Sequence, residues 1–433
     1  MSVKSTYIPK EIAKILCGFR KLLYLYTQIQ NLTQNINLKH LKMKALKGTL
    51  LGAGALMALA FAACTGNQQA QLTASGLDAA KFDTVVNGDT VKLYTLKGDK
   101  GMEVCITNYG ARVVSLMVPD KNDSLVDVVL GFDNIAQYLE KTTDYGSSVG
   151  RYANRINMGR FVLNGDTIQL KQNDKHDGRD HCLHGGGDTG WMNCVYKADQ
   201  IDDQTLRLTI VAQDGENGFP GTVTATTTYK VIGSTLDITW EAETDKPTII
   251  NQTNHNYYNL SGDFEEEAGG LNQFLMVNAD SFTESDESYM PTGKILSVEG
   301  TPMDFRKPHA VGDSIHSEYY QIKNAHGYDH NWCLNTNGDD TQVCASLYSP
   351  QTGIFMEMYT NEPGVQVYSG NFQGVGGEEN IVRKLGKKYP QHVSICLESQ
   401  KYPDSPNHPE WASPVLNPGE KYYSHAAYKF SIK

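Results

Sequence analysis

Residues 223–244, VTATTTYKVIGSTLDITWEAET, constrain the fold more than any other stretch. Two runs rich in β-branched and aromatic residues, 223–231 and 236–244, flank the turn formers Gly233-Ser234. Their composition and alternation have the period of strands with one buried face. The same pattern recurs in TVKLYTL (90–96) and LRLTIVAQ (206–213), and Asn87-Gly88 and Asn164-Gly165 mark further tight turns. Helical stretches are scarce, and NIAQYLEK (134–141) is the best short candidate. The 40 glycines and 15 prolines are spread along the chain rather than gathered into a linker, and no internal repeat stands out. A length of 433 residues allows two or three domains, but large all-β folds often exceed that prior. The chain therefore predicts an all-β fold, one large antiparallel β-sandwich over residues 81–433.

The charge is unevenly placed. A formal net charge of −11 conceals +8 on residues 1–63 and −19 on the remainder. A body that acidic repels nucleic acid and anionic lipid and suits a neutral small-molecule substrate. From Met43 the chain reads MKALKGTLLGAGALMALAFAAC, with Lys44 and Lys47 ahead of the uncharged run 48–63 and then Cys64. That run is short for a span of about 20 residues but suits a signal peptide. Ala62-Ala63-Cys64 has the character of a bacterial lipobox, with Phe61 atypical in the usual aliphatic position. The expectation is a lipoprotein signal peptide at 43–63, lipidation at Cys64 and a polar tether over 64–80. An exported protein lipid-anchored to a bacterial membrane, periplasmic or at the cell surface, would follow. Residues 1–42 then precede a complete signal and are read as a start assigned too early.

Six further cysteines (105, 182, 194, 333, 344 and 396) show neither CxxC nor Cys-His zinc spacing and are expected mostly as buried thiols. The stretches that break the strand rhythm are polar: GRYANRI (150–156), HDGRDHCLHGGG (176–187), NHNYYNLSG (254–262), HGYDHNW (326–332), GVQVYSGN (364–371) and ICLESQKYPDSPNHP (395–409). Their Asp, Glu, His, Asn, Gln and Arg supply mixed donors and acceptors for a polyhydroxylated ligand. Tyr257, Tyr258, Trp332 and Tyr368 offer flat faces for its C–H side. The pair His181/His184 lacks a helix to fix it as a metal site, and HGGGDTG lacks the GK[ST] and helix of a phosphate loop. Taken alone, His255 reads as a structural histidine before a catalyst and Glu398 as a strand-end surface residue, while Asp329 and Glu398 together could form a glycosidase pair.

In their order these segments, with LHGG (183–186) and TPMDFR (301–306), resemble the aldose 1-epimerase (galactose mutarotase) family from about 104 to 430. The resemblance implies a mutarotase β-sandwich, an isomerase activity that interconverts the α and β anomers of galactose- or glucose-type aldoses, and neither metal nor other cofactor. It implies His255 as general acid and Glu398 as general base, with Asn154, Arg155, His184, Tyr257, Asp329 and Gln366 holding the sugar. Asn256 departs from the Ser or Thr expected beside the acid. A sugar-binding surface lipoprotein without catalysis and a glycoside hydrolase are the competing readings, and oligomeric state, monomer or dimer, is left open.

Overall fold

The hairpin at 223–244 lies within the largest sheet of the computed structural model, which describes residues 72–433 apart from Thr142. Val223–Ile232 and Thr235–Thr244 pair antiparallel along their full length, and their buried residues alternate with more exposed ones. Nine strands form this sheet. In order they are Lys197–Gln200, Thr205–Ala212, Val223–Ile232, Thr235–Thr244, Tyr422–Ile432, Ile354–Thr360, Ala345–Tyr348, Phe274–Val277 and His309–Ala310. A second sheet orders Tyr257–Tyr258, Ile395–Gln400, Gly364–Tyr368, Asp329–Cys333, Ser281–Ser285 and Pro291–Ser297. A four-stranded sheet runs from Leu93 to Asp127. The fold is an all-β sandwich.

One apolar cluster joins all three sheets: Ile238 and Trp240 from the first, Trp332, Val365 and Leu397 from the second, Val104 and Leu116 from the third. Burial on this scale removes the need for disulfide staples in so large a body. Cys105, Cys182, Cys194, Cys333, Cys344 and Cys396 are all free, and only Cys194 is not fully buried. The expected short helix spans Ile135–Glu140, with the Asn134 side chain accepting from the Gln137 amide as its N-cap.

Residues 72–80, read from the sequence as the end of the tether, belong to the folded body. Leu77 and Phe82 are buried, the Ala74 amide donates to Glu103 Oε1 at 2.6 Å, and Ser75 Oγ donates to Ser115 Oγ at 3.0 Å. The extension 1–42, the signal peptide 43–63, Cys64 and tether residues 64–71 lie outside the described residues.

Candidate active site

Strand register builds the floor of the site. In the six-stranded sheet Tyr257 faces Cys396, Gln366 faces Glu398, Asn331 faces Gln366 and Asp329 faces Tyr368 across the ladder. Side chains alternate along each strand, so Tyr257, Glu398, Gln366, Tyr368 and Asp329 emerge on one face. The residues between them, including Tyr258, Trp332, Val365, Val367 and Leu397, point into the core. Two of the four aromatics read as sugar-facing therefore serve elsewhere: Tyr258 and Trp332 are fully buried, and Trp332 Nε1 donates to Met303 O at 3.0 Å. Tyr257 and Tyr368 line the cavity.

That cavity, about 690 Å³ including its open mouth, is lined by all eight residues expected at the site other than Cys64: His255, Glu398, Asn154, Arg155, His184, Tyr257, Asp329 and Gln366. His255 and Glu398 are both buried, 4% and 2% exposed, with Nε2 and Oε1 3.5 Å apart. His255 Nδ1 and Glu398 Oε2 have no partner among the described residues. The His255 ring stacks on Tyr257 at 4.9 Å and 19°, which fixes its plane. Burial raises the Glu398 pKa well above the usual carboxylate range, and the charges of Asp329 and Asp144 raise it further. Burial lowers that of His255, against a pull from Asp144 and Asp329 toward the charged ring. Both groups are thus pressed toward neutrality, and the pair is best described as titrating together.

The walls come from a second region. Leu183 pairs with Arg155, and just beyond that ladder Asn154 and His184 both adopt left-handed backbone, φ 64° and 49°. His184 N donates to Asn154 O, and Asn154 N donates to His184 Nδ1, each at 3.2 Å. An accepting Nδ1 leaves Nε2–H as the donor. Burial takes the His184 pKa down to about 4, so the ring is neutral and hydrogen-bonds without acting as an acid. Arg155 Nε donates to Asp174 Oδ2 at 2.7 Å, and its Nη1 stands 4.0 Å from Asp329 Oδ2. Gln366 Nε2 holds Asp329 Oδ1 at 2.7 Å. Arg155, Asp329 and Gln366 thereby form a bonded wall of donors and acceptors.

The HxxH pair divides. His184 lines the cavity, whereas His181 is buried with Nδ1 accepting from the Met158 amide at 3.1 Å. Two acidic cavity residues, Asp144 and Asp174, escaped the sequence reading, while His176, the first residue of HDGRDHCLHGGG, also lines the cavity. Asp174 orients Arg155 and also binds His176 Nε2 at 2.9 Å, but it lies just ahead of the polar stretch that begins at His176. Among the described residues, Asp144, His184 and His255 are the group whose donor atoms, of types that also bind divalent ions, fall within 4.8 Å of one another. Within this group His184 Nδ1 is taken by an amide and His255 abuts Glu398.

A sheet face that sets a buried imidazole beside a buried carboxylate, ringed by groups suited to hydroxyls, defines an acid–base site for a polyhydroxylated ligand. Comparison with known proteins specifies which. A model of the aldose 1-epimerase family matches residues 92–429. Galactose mutarotase of Mus musculus is 37% identical over 80% of this chain and 95% of its own length. Aldose 1-epimerase of Escherichia coli K12 is 34% identical over 79% of this chain and 96% of its own. The crystal structure of galactose 1-epimerase from Lactobacillus acidophilus NCFM superposes with a TM-score of 0.69 at 28% identity, over 81% of this chain and 97% of that one. The chain belongs to the aldose 1-epimerase family.

Proposed function

We propose that this aldose 1-epimerase equilibrates the anomers of a galactose- or glucose-type sugar with His255 as general acid and Glu398 as general base. The observation that carries the assignment is their adjacency in the lining of one cavity. The ring oxygen O5 and the anomeric O1 share carbon C1, so the acid and base that serve them must sit side by side. In ring opening His255 gives its proton to O5 while Glu398 takes the proton of O1. The C1–O5 bond breaks and C1=O1 forms. After rotation about C1–C2, O5 adds to the other face of C1, His255 recovers a proton from O5 and Glu398 returns one to O1. One proton therefore serves the pair throughout: the cycle begins with the imidazolium beside the carboxylate, and proton transfer leaves the neutral imidazole and carboxylic acid that burial favours.

Arg155, Asp329, Gln366, Asn154 and the Nε2–H of His184 hold the hydroxyls, and Tyr257 keeps the acid aligned. Anomerisation followed by polarimetry or NMR over a panel of aldoses tests class and specificity together. His255→Ala and Glu398→Gln should each lower kcat about 10²- to 10⁴-fold. Rates near that of the unaltered enzyme would overturn the assignment. The Met43–Cys64 pattern supports an exported, lipid-anchored enzyme. Incorporation of labelled palmitate, abolished by Cys64→Ser, tests that reading.

A further inference from the structure

We propose that Asp144 is a positioning residue for the acid: its carboxylate holds the His255 ring in the proton-donating form and keeps one proton on the His255–Glu398 pair. This rests on the acid–base reading above and adds a residue to it.

The first support is mechanical. Asp144 opens a turn in which its carbonyl accepts from the Ser147 amide at 3.0 Å and from Ser147 Oγ at 2.9 Å. The same turn is tied to the backbone of the acid in both directions. Gly146 N donates to His255 O at 3.0 Å, and His255 N donates to Ser147 O at 2.9 Å. The ladder continues through Val149–Thr253 and Ser148–Asn254, and Asn254 Nδ2 caps the carbonyl of Gly146 at 3.1 Å. From the other side the buried Arg112 donates through Nη1 to Tyr145 O at 3.0 Å. Gly146 has φ +67°, and a Cβ there would overlap the carbonyl oxygen of Val113, so the turn passes where only glycine fits. Carboxylate and imidazole are thus carried on one braced unit.

The second support is electrostatic. A carboxylate oxygen of Asp144 and a ring nitrogen of His255 lie within 4.8 Å, as do Asp144 and His184. The charged or titratable groups around His255 come from several elements. They are Glu398 on Ile395–Gln400, Asp329 on Asp329–Cys333, His184 after Arg179–Leu183, Arg155, Arg112, and the rings of Tyr257 and Tyr368. Two of these carboxylates have other employment. Glu398 must itself take a proton, and Asp329 is bound by Gln366 and stands beside Arg155. Asp144 is the remaining anion at this range, and its field opposes that of Arg112 and the desolvation of the ring. At 4.8 Å, with the effective dielectric of a partly exposed site, one such charge alters proton affinity by roughly 10- to 100-fold.

The test is the pH dependence of kcat/KM for anomerisation in Asp144→Asn and Asp144→Glu. In Asp144→Asn the alkaline limb moves to lower pH by about one unit or more, kcat at neutral pH falls about tenfold, and KM changes little. Asp144→Glu restores most of the limb. An unmoved limb overturns the proposal, as does a rise in KM at constant kcat, which would make Asp144 a sugar contact. Should Asp144→Asn fold poorly, the NMR titration of His255 in Asp144→Glu and the unaltered enzyme decides: the carboxylate in either length must keep the ring's titration above that in Asp144→Ser. If His255→Ala retains full activity the acid assignment itself fails, an outcome separate from any result at Asp144.

Discussion

Glu398→Gln should make the protein less active and more stable. Glu398 is 2% exposed, Oε2 has no partner, and its nearest charged neighbours besides His255 include the carboxylates of Asp329 and Asp144. Leaving a buried acceptor of this kind unsatisfied costs about 1–3 kcal/mol, and an amide of the same shape removes the charge without opening a cavity. The sign of the pH dependence follows from the raised folded-state pKa. A carboxyl that holds its proton more tightly when folded contributes fully below its unfolded value. That contribution is lost as pH rises through the folded one. The stability gain of Glu398→Gln should therefore be near zero in mild acid and grow to about 1–3 kcal/mol at neutral pH and above. Loss of the base should at the same time reduce kcat about 10²- to 10⁴-fold, a barrier increase of about 3–5 kcal/mol. Urea denaturation at several pH values, beside polarimetric anomerisation, reads both. If Glu398→Gln is less stable than the unaltered enzyme at neutral pH, the carboxylate is structural and the reasoning fails.

Arg155→Lys should raise KM about 10-fold or more with a smaller change in kcat, because a single ammonium cannot both replace Nε on Asp174 and keep a second donor toward the cavity. Steady-state kinetics with galactose measure the split. Gly146→Ala combines left-handed strain with overlap on Val113 O and should cost about 3 kcal/mol or more, visible as a lower urea midpoint together with lost activity. His425 binds Asp237 through Nε2 at 3.0 Å and Asp340 through Nδ1 at 2.7 Å, and the Asp237 hydrogen bond leads in raising its pKa. Its contribution is complete below the ordinary histidine pKa and fades as pH rises through the folded value, so His425→Asn should flatten the stability profile across that window. Denaturation midpoints taken from mild acid to mild alkali check it.

Local chemistry made the long hairpins and the short helix readable: Asn87-Gly88, Asn164-Gly165 and Gly233-Ser234 each connect paired strands, and Asn134 caps the helix. The catalytic candidates stood out for a different reason, their likeness to an ordered set of family segments. Residues without a motif stayed hidden. Asp144 lies in TTDYG, which reads as a turn, and its nearness to His255 arises only when Val149 pairs with Thr253, about a hundred residues on. Trp332 and Tyr258 were misplaced because aromatic identity says nothing about parity. One residue of slip moves a strand side chain from cavity to core.

Parity also explains why this architecture suits a one-proton reaction. Gln366 and Glu398 face each other across one ladder, Tyr257 is held opposite Cys396 on the same strand as Glu398, and His255 is laced to Ser147 just before Tyr257. The proposed acid and base, with Gln366 and Asp329, are thus referred to one strand-paired frame, while Asn154, Arg155 and His184 close the cavity from the separate ladder of Arg155 and Leu183. A proton relay through a single sugar needs that constancy more than it needs a large cavity, since both transfers fail if either group withdraws from C1. The unpartnered Glu398 Oε2 and His255 Nδ1 are the cost of holding both groups in so dry a place. That cost is what Glu398→Gln would relieve in stability while removing the reaction.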